Sequence, residues 1–274
     1  MPAAWRPYDS LQFRGAGGEA RLDPVAVEEP LEIRIGKTPL TLLMRTPGDD
    51  DELAAGFLLT EGIIASAADL MDLSYCPGVP PEAEGNVIVA LLKDSARFDP
   101  ERLRRNFYAS SSCGVCGRAS MEHLRQSHPP IQDEVRVPRE VLLGLPPQLQ
   151  REQRGFAATG GLHAAGLFAS RGRMLCVRED IGRHNAVDKV IGWAVLEGKT
   201  PLAGTILQVS GRASFEIVQK ALAARIPIVA SVSAPSSLAV DLARQSQMTL
   251  ASFVRGDQLT LFSGEFRMAE GGAP

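Results

Sequence analysis

The chain has 274 residues, 45% of them hydrophobic and 22% charged, with a formal net charge of -3. That length leaves room for one large domain or two modest ones in an ordinary water-soluble protein. The small net charge, with no long Lys/Arg run, argues against a nucleic-acid partner, and no apolar window reaches the length of a membrane span.

Met1 to Gln12 lacks the apolar core of a secretory signal. Four cysteines, only two of them close together, do not form a disulfide framework, so a cytoplasmic location is expected. Before Pro24 the chain, with Gly15, Gly17 and Gly18, reads as a loose arm. Leu31-Glu32-Ile33-Arg34-Ile35 alternates apolar and charged residues as a half-buried strand does, Gly36-Lys37-Thr38-Pro39 is a turn, and Leu40 to Met44 completes a hairpin. Asp49, Asp50, Asp51 and Glu52 crowd the start of an apolar-periodic run from Leu53 to Ile64, where acids complement the positive end of a helix. Asn86 to Leu92 is a further strand, so the order β-β-α-β describes a small α+β unit.

Arg97 to Ser110 alternates basic and apolar residues and leads into a cysteine segment, after which a helix is predicted from Arg118 to Gln126. Val135 to Phe156, rich in Pro and Gln, predicts a short helix near Pro138 to Leu143 and then a connector. Beyond it, Leu162 to Phe168 and Arg173 to Val177 read as a hairpin. Asn185 to Leu196 is an amphipathic helix with Val187, Val190, Ile191 and Val195 on one face and Asn185 as N-cap. Strand Thr205 to Val209, helix Phe215 to Ala224, strand Ile228 to Val232, helix Ser237 to Gln245, and strands Leu250 to Val254 and Leu259 to Phe262 follow. Alternating strands and helices predict an α/β layer on a largely parallel sheet. Two lobes are expected, 1–108 and 109–274, with the paired cysteines near their junction.

Ser110-Ser111-Ser112-Cys113-Gly114-Val115-Cys116-Gly117-Arg118 sets two thiols at C-x-x-C spacing among small, flexible residues. At a helix N-terminus, with Arg118 close behind, such thiols favour the thiolate, which attacks sulfur or binds metal. A structural zinc site would need a second ligand pair; Cys76 and Cys176 are isolated and His123 is the only nearby imidazole. A thioredoxin-type couple would open a helix directly after a strand, and a purely structural pair remains the bland alternative. Nucleophilic sulfur chemistry on a loop able to enter a partner's site fits the setting best.

Thr159-Gly160-Gly161-Leu162-His163 brings a histidine to a strand entry behind two glycines that permit close approach, although a satisfied core histidine is the commoner case. Arg178-Glu179-Asp180-Ile181-Gly182-Arg183-His184-Asn185 packs six polar or ionisable side chains ahead of a helix, either as salt-bridged scaffold or as a pocket rim. Ser210-Gly211-Arg212-Ala213-Ser214 and Ser231 to Ser237 each follow a strand and open a helix. Simple serine capping would explain either alone, but together they suggest a phosphorylated, nucleotide-containing ligand at the carboxyl ends of neighbouring strands. Phe253-Val254-Arg255-Gly256-Asp257-Gln258 ends a strand with a cation and a flexible turn.

Taken in order, Arg45 to Leu58, Ser111 to Gly117, Thr159 to His163, Glu179 to Lys189 and Val209 to Arg212 resemble the formate dehydrogenase accessory sulfurtransferase family, FdhD, over roughly Glu29 to Phe262. The resemblance implies an α/β fold: a small N-terminal α+β lobe, then a three-layer α/β/α lobe similar to cytidine deaminases. It implies a sulfurtransferase that takes sulfane sulfur from a cysteine desulfurase and passes it to the molybdenum bis(molybdopterin guanine dinucleotide) cofactor, carried as cargo, before insertion into formate dehydrogenase. Cys113 would carry the persulfide and Cys116 assist. The cofactor would meet Phe253, Val254, Arg255, Gly256, Asp257 and Gln258, with Ser210, Gly211, Arg212, His163, Arg183 and His184 completing the pocket. Homodimers are implied; a metal ligated by the protein is not. Deaminase chemistry is disfavoured, since it needs H-x-E and P-C-x-x-C whereas Ala165 stands two after His163 and no proline precedes Cys113.

Overall fold

The computed structural model describes residues 4–15, 17–93 and 129–269. Strands β1 (Trp5–Arg14) and β2 (Gly17–Ala26) form an antiparallel ribbon rather than a loose arm. The cause is a period of two. Leu11↔Ala20, Asp9↔Leu22 and Phe13↔Gly18 pair on one face, and Tyr8↔Asp23, Ser10↔Arg21 and Gln12↔Glu19 on the other. The polar face is tied by Ser10 to Asp23 at 2.5 Å and by Arg21 to Gln12 at 2.9 Å. The apolar face is bare: Leu11, Leu22 and Phe13 are 57%, 66% and 71% exposed.

Strands β3 (Glu29–Ile35) and β4 (Thr38–Arg45), helix α1 (Asp50–Thr60), and strands β5 (Leu70–Tyr75) and β6 (Val87–Leu92) build a four-stranded sheet of order β4-β3-β6-β5. Strand β5 had no counterpart in the sequence reading; it is an edge strand with no buried residue, so its apolar signal is weak. Helix α1 stops at Thr60, short of the predicted Ile64. Gly62 is left-handed at φ 71, and Ile63 N–H and Gly62 N–H return to the Leu58 and Leu59 carbonyls at 2.9 Å, which closes the last turn.

Helices α2 (Arg139–Glu152) and α3 (Arg154–Thr159) precede strands β7 (His163–Ala169) and β8 (Met174–Asp180). Then come α4 (Arg183–Leu196), β9 (Thr205–Val209), α5 (Phe215–Ala223), β10 (Ile228–Ser231), α6 (Ser237–Gln245), β11 (Thr249–Arg255) and β12 (Gln258–Ser263). The six-stranded sheet has order β12-β11-β10-β9-β7-β8. Only the β9–β10 and β10–β11 pairings are parallel; β7–β8 and β11–β12 are hairpins and therefore antiparallel, and β7 also runs against β9. The sheet is mixed, not largely parallel.

Alternation along these strands gives three layers. Leu207, Val209, Val229 and Leu250 meet α4, α5 and α6 on one face, while Ile206, Ile228, Ala230, Ala251 and Val254 meet Leu142 and Leu145 of α2 on the other. Helix α2 runs through Pro146 and Pro147, where a connector was expected. Leu142, Leu145 and Leu149 at i, i+3 and i+7 are buried, and that packing outweighs the prolines. In α1, Leu53, Ala54 and Phe57 face the four-stranded sheet while Ala55, Leu58 and Leu59 enter the core of the second lobe. No helix among the described residues is long and apolar enough to cross a membrane.

Candidate functional site

Because β7 runs against β9 and β8 runs back along it, the first residue of β7 and the last of β8 lie at the same edge as the carboxyl ends of β9, β10 and β11. His163 pairs with Asp180 across β7 and β8, and Ala165 pairs with Val209 across β7 and β9. The loops at this edge are stitched together. Ser210 N–H donates to the Ala164 carbonyl and Ala164 N–H donates to the Ser210 hydroxyl, both at 2.9 Å. Ala213 N–H donates to the Ala234 carbonyl at 3.2 Å, Ser236 N–H to the Ala213 carbonyl at 3.0 Å, and Phe253 N–H to the Ser233 carbonyl at 3.2 Å. Ser236 also caps α6, accepting from Ala239 N–H at 3.2 Å.

His163, Arg183, His184, Ser210, Gly211 and Arg212 therefore come together. A Cβ added at Gly211 would lie 3.4 Å from His163 Nδ1, so the glycine lets the ring lie against the backbone. Burial, then Arg183 and Arg212, lower the proton affinity of His163. His184 Nε2 is 3.3 Å from the Ser214 hydroxyl and 3.7 Å from the Glu216 carboxylate. Burial above all, with Arg183 next, pulls His184 down to about 4, so its imidazole is neutral at physiological pH. For Glu216 burial is the largest single influence and opposes ionisation. Its own backbone N–H, Ser214, His184 and Arg183 together outweigh that and hold its carboxyl below the ordinary value. The Arg183 Nε is buried and has no hydrogen-bond partner among the described residues.

The β11 end contributes unevenly. Phe253 adopts a left-handed backbone at φ 55, unusual for an aromatic residue, at a register shift in the β11–β12 ladder. Its ring lies 6.3 Å from that of Phe262. Val254 is buried and belongs to the core under α2, so its side chain offers nothing to a ligand. Arg255, Gly256, Asp257 and Gln258 form the exposed β11–β12 turn, where the Asp257 carbonyl accepts from Arg139. Cys113 and Cys116 lie outside the described residues.

The rest of the charged run 178–189 is mostly scaffold, and it clamps the first lobe. Asp180 accepts from Lys189 at 2.8 Å and Thr46 N–H at 3.1 Å through one oxygen, and from Gly182 N–H at 2.8 Å and Asn185 at 2.9 Å through the other. Asn185 sits inside α4 instead of capping it; Gly182 holds the N-cap position, and the Asn185 amide also reaches the Met44 carbonyl at 2.8 Å. Arg178 grips Glu52 with two bonds of 2.5 and 2.6 Å, and burial is the main reason the Glu52 carboxyl sits above its ordinary value. Glu179 accepts the Gly155 and Phe156 N–H groups at 2.7 and 2.8 Å and so anchors the start of α3. In the first lobe, buried Arg45 meets Asp50 with two bonds of 2.9 Å. Tyr75 adds a third bond to that carboxylate at 2.8 Å, its phenol pushed up to about 12 by burial and then by that bond. Ser214 was read from the sequence only as the end of the helix-opening loop from Ser210, and Glu216 was not singled out; a serine and an acid two apart at a helix start are common to ordinary caps.

Fold and edge together define a mixed α/β protein whose six-stranded sheet gathers arginines and neutral imidazoles where its parallel strands end. The FdhD/NarQ family model matches residues 26–269, and the chain belongs to that family. A relative from Mycobacterium tuberculosis, named sulfur carrier protein FdhD, is 52% identical over 250 residues, covering 89% of this chain and 91% of the relative. A protein of the same name from Streptomyces avermitilis is 47% identical over 264 residues, 94% of each chain. A crystal structure of a proposed formate dehydrogenase accessory protein from Desulfotalea psychrophila superimposes with a TM-score of 0.78, covering 97% of this chain and 100% of that one at 24% identity; this shows the shared fold.

Proposed function

We propose that the protein is a cytoplasmic sulfur carrier serving formate dehydrogenase, and that it relays sulfur as a persulfide on Cys113. The relatives named sulfur carrier protein FdhD, half identical over nearly the whole chain, carry this reading. In the relay the Cys113 thiolate attacks the terminal sulfur of a cysteine desulfurase persulfide. The donor's S–S bond breaks, its thiolate leaves with the electron pair, and a new S–S bond holds the sulfur on Cys113. Cys116 assists. The sulfur then passes to the molybdenum of the bis(molybdopterin guanine dinucleotide) cofactor, which is the substrate here, before that cofactor enters formate dehydrogenase. The S–S bond on Cys113 breaks, Cys113 leaves as thiolate, and the two electrons that take sulfane sulfur to sulfide come from the reduced metal.

The ligand reading draws support from Arg183 and Arg212 at the openings of helices, from the Arg183 Nε that has no partner among the described residues, and from backbone N–H groups at the starts of α5 and α6. Phe253 and Arg255 to Gln258 extend that edge. The three layers of the second lobe support the likeness to deaminases, and the two sheets support a division into 1–108 and 109–274. The bare apolar face of the β1–β2 ribbon supports a homodimer. Val27 and Glu28 join the ribbon to β3, and a second copy is the cover proposed here for its exposed face.

The test is intact-mass and peptide mass spectrometry after incubation with a cysteine desulfurase and cysteine. A gain of one sulfur on Cys113 is expected. Sulfur on Cys116 alone, or on neither, would end the assignment.

A further inference from the structure

We propose that His184 and Glu216 form a proton-loading pair: a pyrophosphate-bearing ligand seated against Arg183 and Arg212 draws a proton onto His184, and Glu216 holds the resulting imidazolium. The inference rests on the ligand reading above and adds Ser214, Glu216 and a charge state to it.

The geometry provides the receiver. Nε2 of His184 faces the Ser214 hydroxyl at 3.3 Å and the Glu216 carboxylate at 3.7 Å, so a proton arriving there meets a hydrogen-bond acceptor and a counter-charge. The other charges around the ring are cationic: Arg183 on α4, Lys220 on α5 and, when protonated, His163 on β7. The nearby acids are otherwise engaged. Asp188 of α4 holds Lys220 at 2.8 Å and Thr60 at 2.9 Å, Glu61 after α1 lies 4.0 Å from Lys220, and Asp180 of β8 holds Lys189 at 2.8 Å. Arg183 and Arg212 also act on His163.

A bound anion changes this balance in one direction. It neutralises Arg183, whose buried Nε has no partner among the described residues, and with it Arg212. Repulsion at His184 falls while the attraction of Glu216 stays, so the imidazole's proton affinity rises. By linkage, the ligand binds more tightly as pH falls towards the titration range of the bound state.

The probe is P1,P2-di(guanosine-5′) pyrophosphate, whose phosphates carry no titrating proton near neutrality. Calorimetry on the full chain, in buffers of different ionisation enthalpy between about pH 5 and about pH 8, reads the proton count directly. Net uptake is expected, with the apparent Kd weakening severalfold towards the alkaline end. His184→Asn and Glu216→Gln should abolish or sharply reduce the uptake, and His163→Asn should retain most of it. Glu216 lies at the surface, so its variant stays informative should His184→Asn fold poorly. Binding with a heat independent of buffer would overturn the proton-loading pair and leave the ligand reading standing, as would uptake that survives His184→Asn. An absence of any binding would remove the ligand reading and this inference together.

Discussion

Gly56 of α1 and Gly192 of α4 face each other at the crossing of the two lobes, with no room for a side chain on either. A Cβ on Gly56 would stand 1.8 Å from the Asp188 carbonyl oxygen, and one on Gly192 would stand 1.7 Å from the Glu52 carbonyl oxygen. Both obstacles are helix backbone, which cannot swing aside. Gly56→Ala or Gly192→Ala should therefore destabilise by at least the upper end of the roughly 1–3 kcal/mol typical of overpacking, although alanine is the better helix former. Urea unfolding checks this: a variant as stable as the parent would mean that the helices cross elsewhere.

The same crossing is locked by buried charge. Lys189 and Asp180 are 1% and 0% exposed, and the Lys189 ammonium also donates to the Thr46 carbonyl at 2.9 Å across the lobes. Lys189→Met leaves Asp180 buried without its counter-charge and should cost about 3–5 kcal/mol. Adding Asp180→Asn to Lys189→Met should recover part of that loss, because the uncompensated charge is gone. Equal losses in the single and double variants would show that the ammonium contributes only by packing.

Much of the strand and helix pattern was legible because it depends on local periodicity. The helix Ser237–Gln245 and its cap, Ser236, carry both signals, the hydroxyl and the apolar stripe, within ten residues. The clamp between lobes was not legible, since Asp180 and Thr46 lie 134 residues apart and nothing in either segment names the other. For the same reason the charges from Arg178 to Asn185 resembled a pocket rim, when all but Arg183 and His184 are engaged in anchoring neighbouring backbone and the first lobe. The ribbon was readable in principle. Trp5, Pro7, Asp9, Leu11 and Phe13 alternate with Arg6, Tyr8, Ser10, Gln12 and Arg14, but Pro7 and Pro24 disguise the strands and the glycines at the turn suggest looseness.

That ribbon is the place to test self-association. Leu11, Phe13 and Leu22 share a face and are more than half exposed, and a two-stranded ribbon is only marginally stable without cover. Replacing all three by serine should convert a dimer to a monomer in light scattering while the unfolding midpoint of the body changes little. A variant that remains dimeric would place the interface elsewhere.

Stability should depend on pH through His184. In the unfolded chain a histidine titrates near ~6.5, whereas burial and Arg183 bring His184 to about 4 in the folded chain. Between these values the unfolded chain binds a proton that the folded chain refuses, so stability falls as pH drops through the window. His163, lowered mainly by burial, acts with the same sign. Glu52, Glu61 and Asp188 are raised by burial and act with the opposite sign as the solution becomes acidic. The cleanest readout is thus a difference: His184→Asn should lose less stability than the parent between about pH 7.5 and about pH 5 in urea titrations. Parallel losses would show that His184 titrates normally in the folded chain.

Phe253 offers a separation of backbone from side chain at the edge proposed to meet the ligand. Its φ of 55 is one that glycine adopts freely and other residues at a cost. Phe253→Ala removes the ring and its contact with Phe262 and keeps the strained backbone; Phe253→Gly removes both ring and strain. In an ordinary strand glycine is the less stable of the two by roughly 0.5–1 kcal/mol. Here the order should invert, with the glycine variant more stable by about 1 kcal/mol. Both variants should weaken guanine nucleotide binding by similar factors where the ring makes the contact. Weakening confined to the glycine variant would mean instead that the rigid left-handed turn, and not the aromatic face, is what the ligand meets.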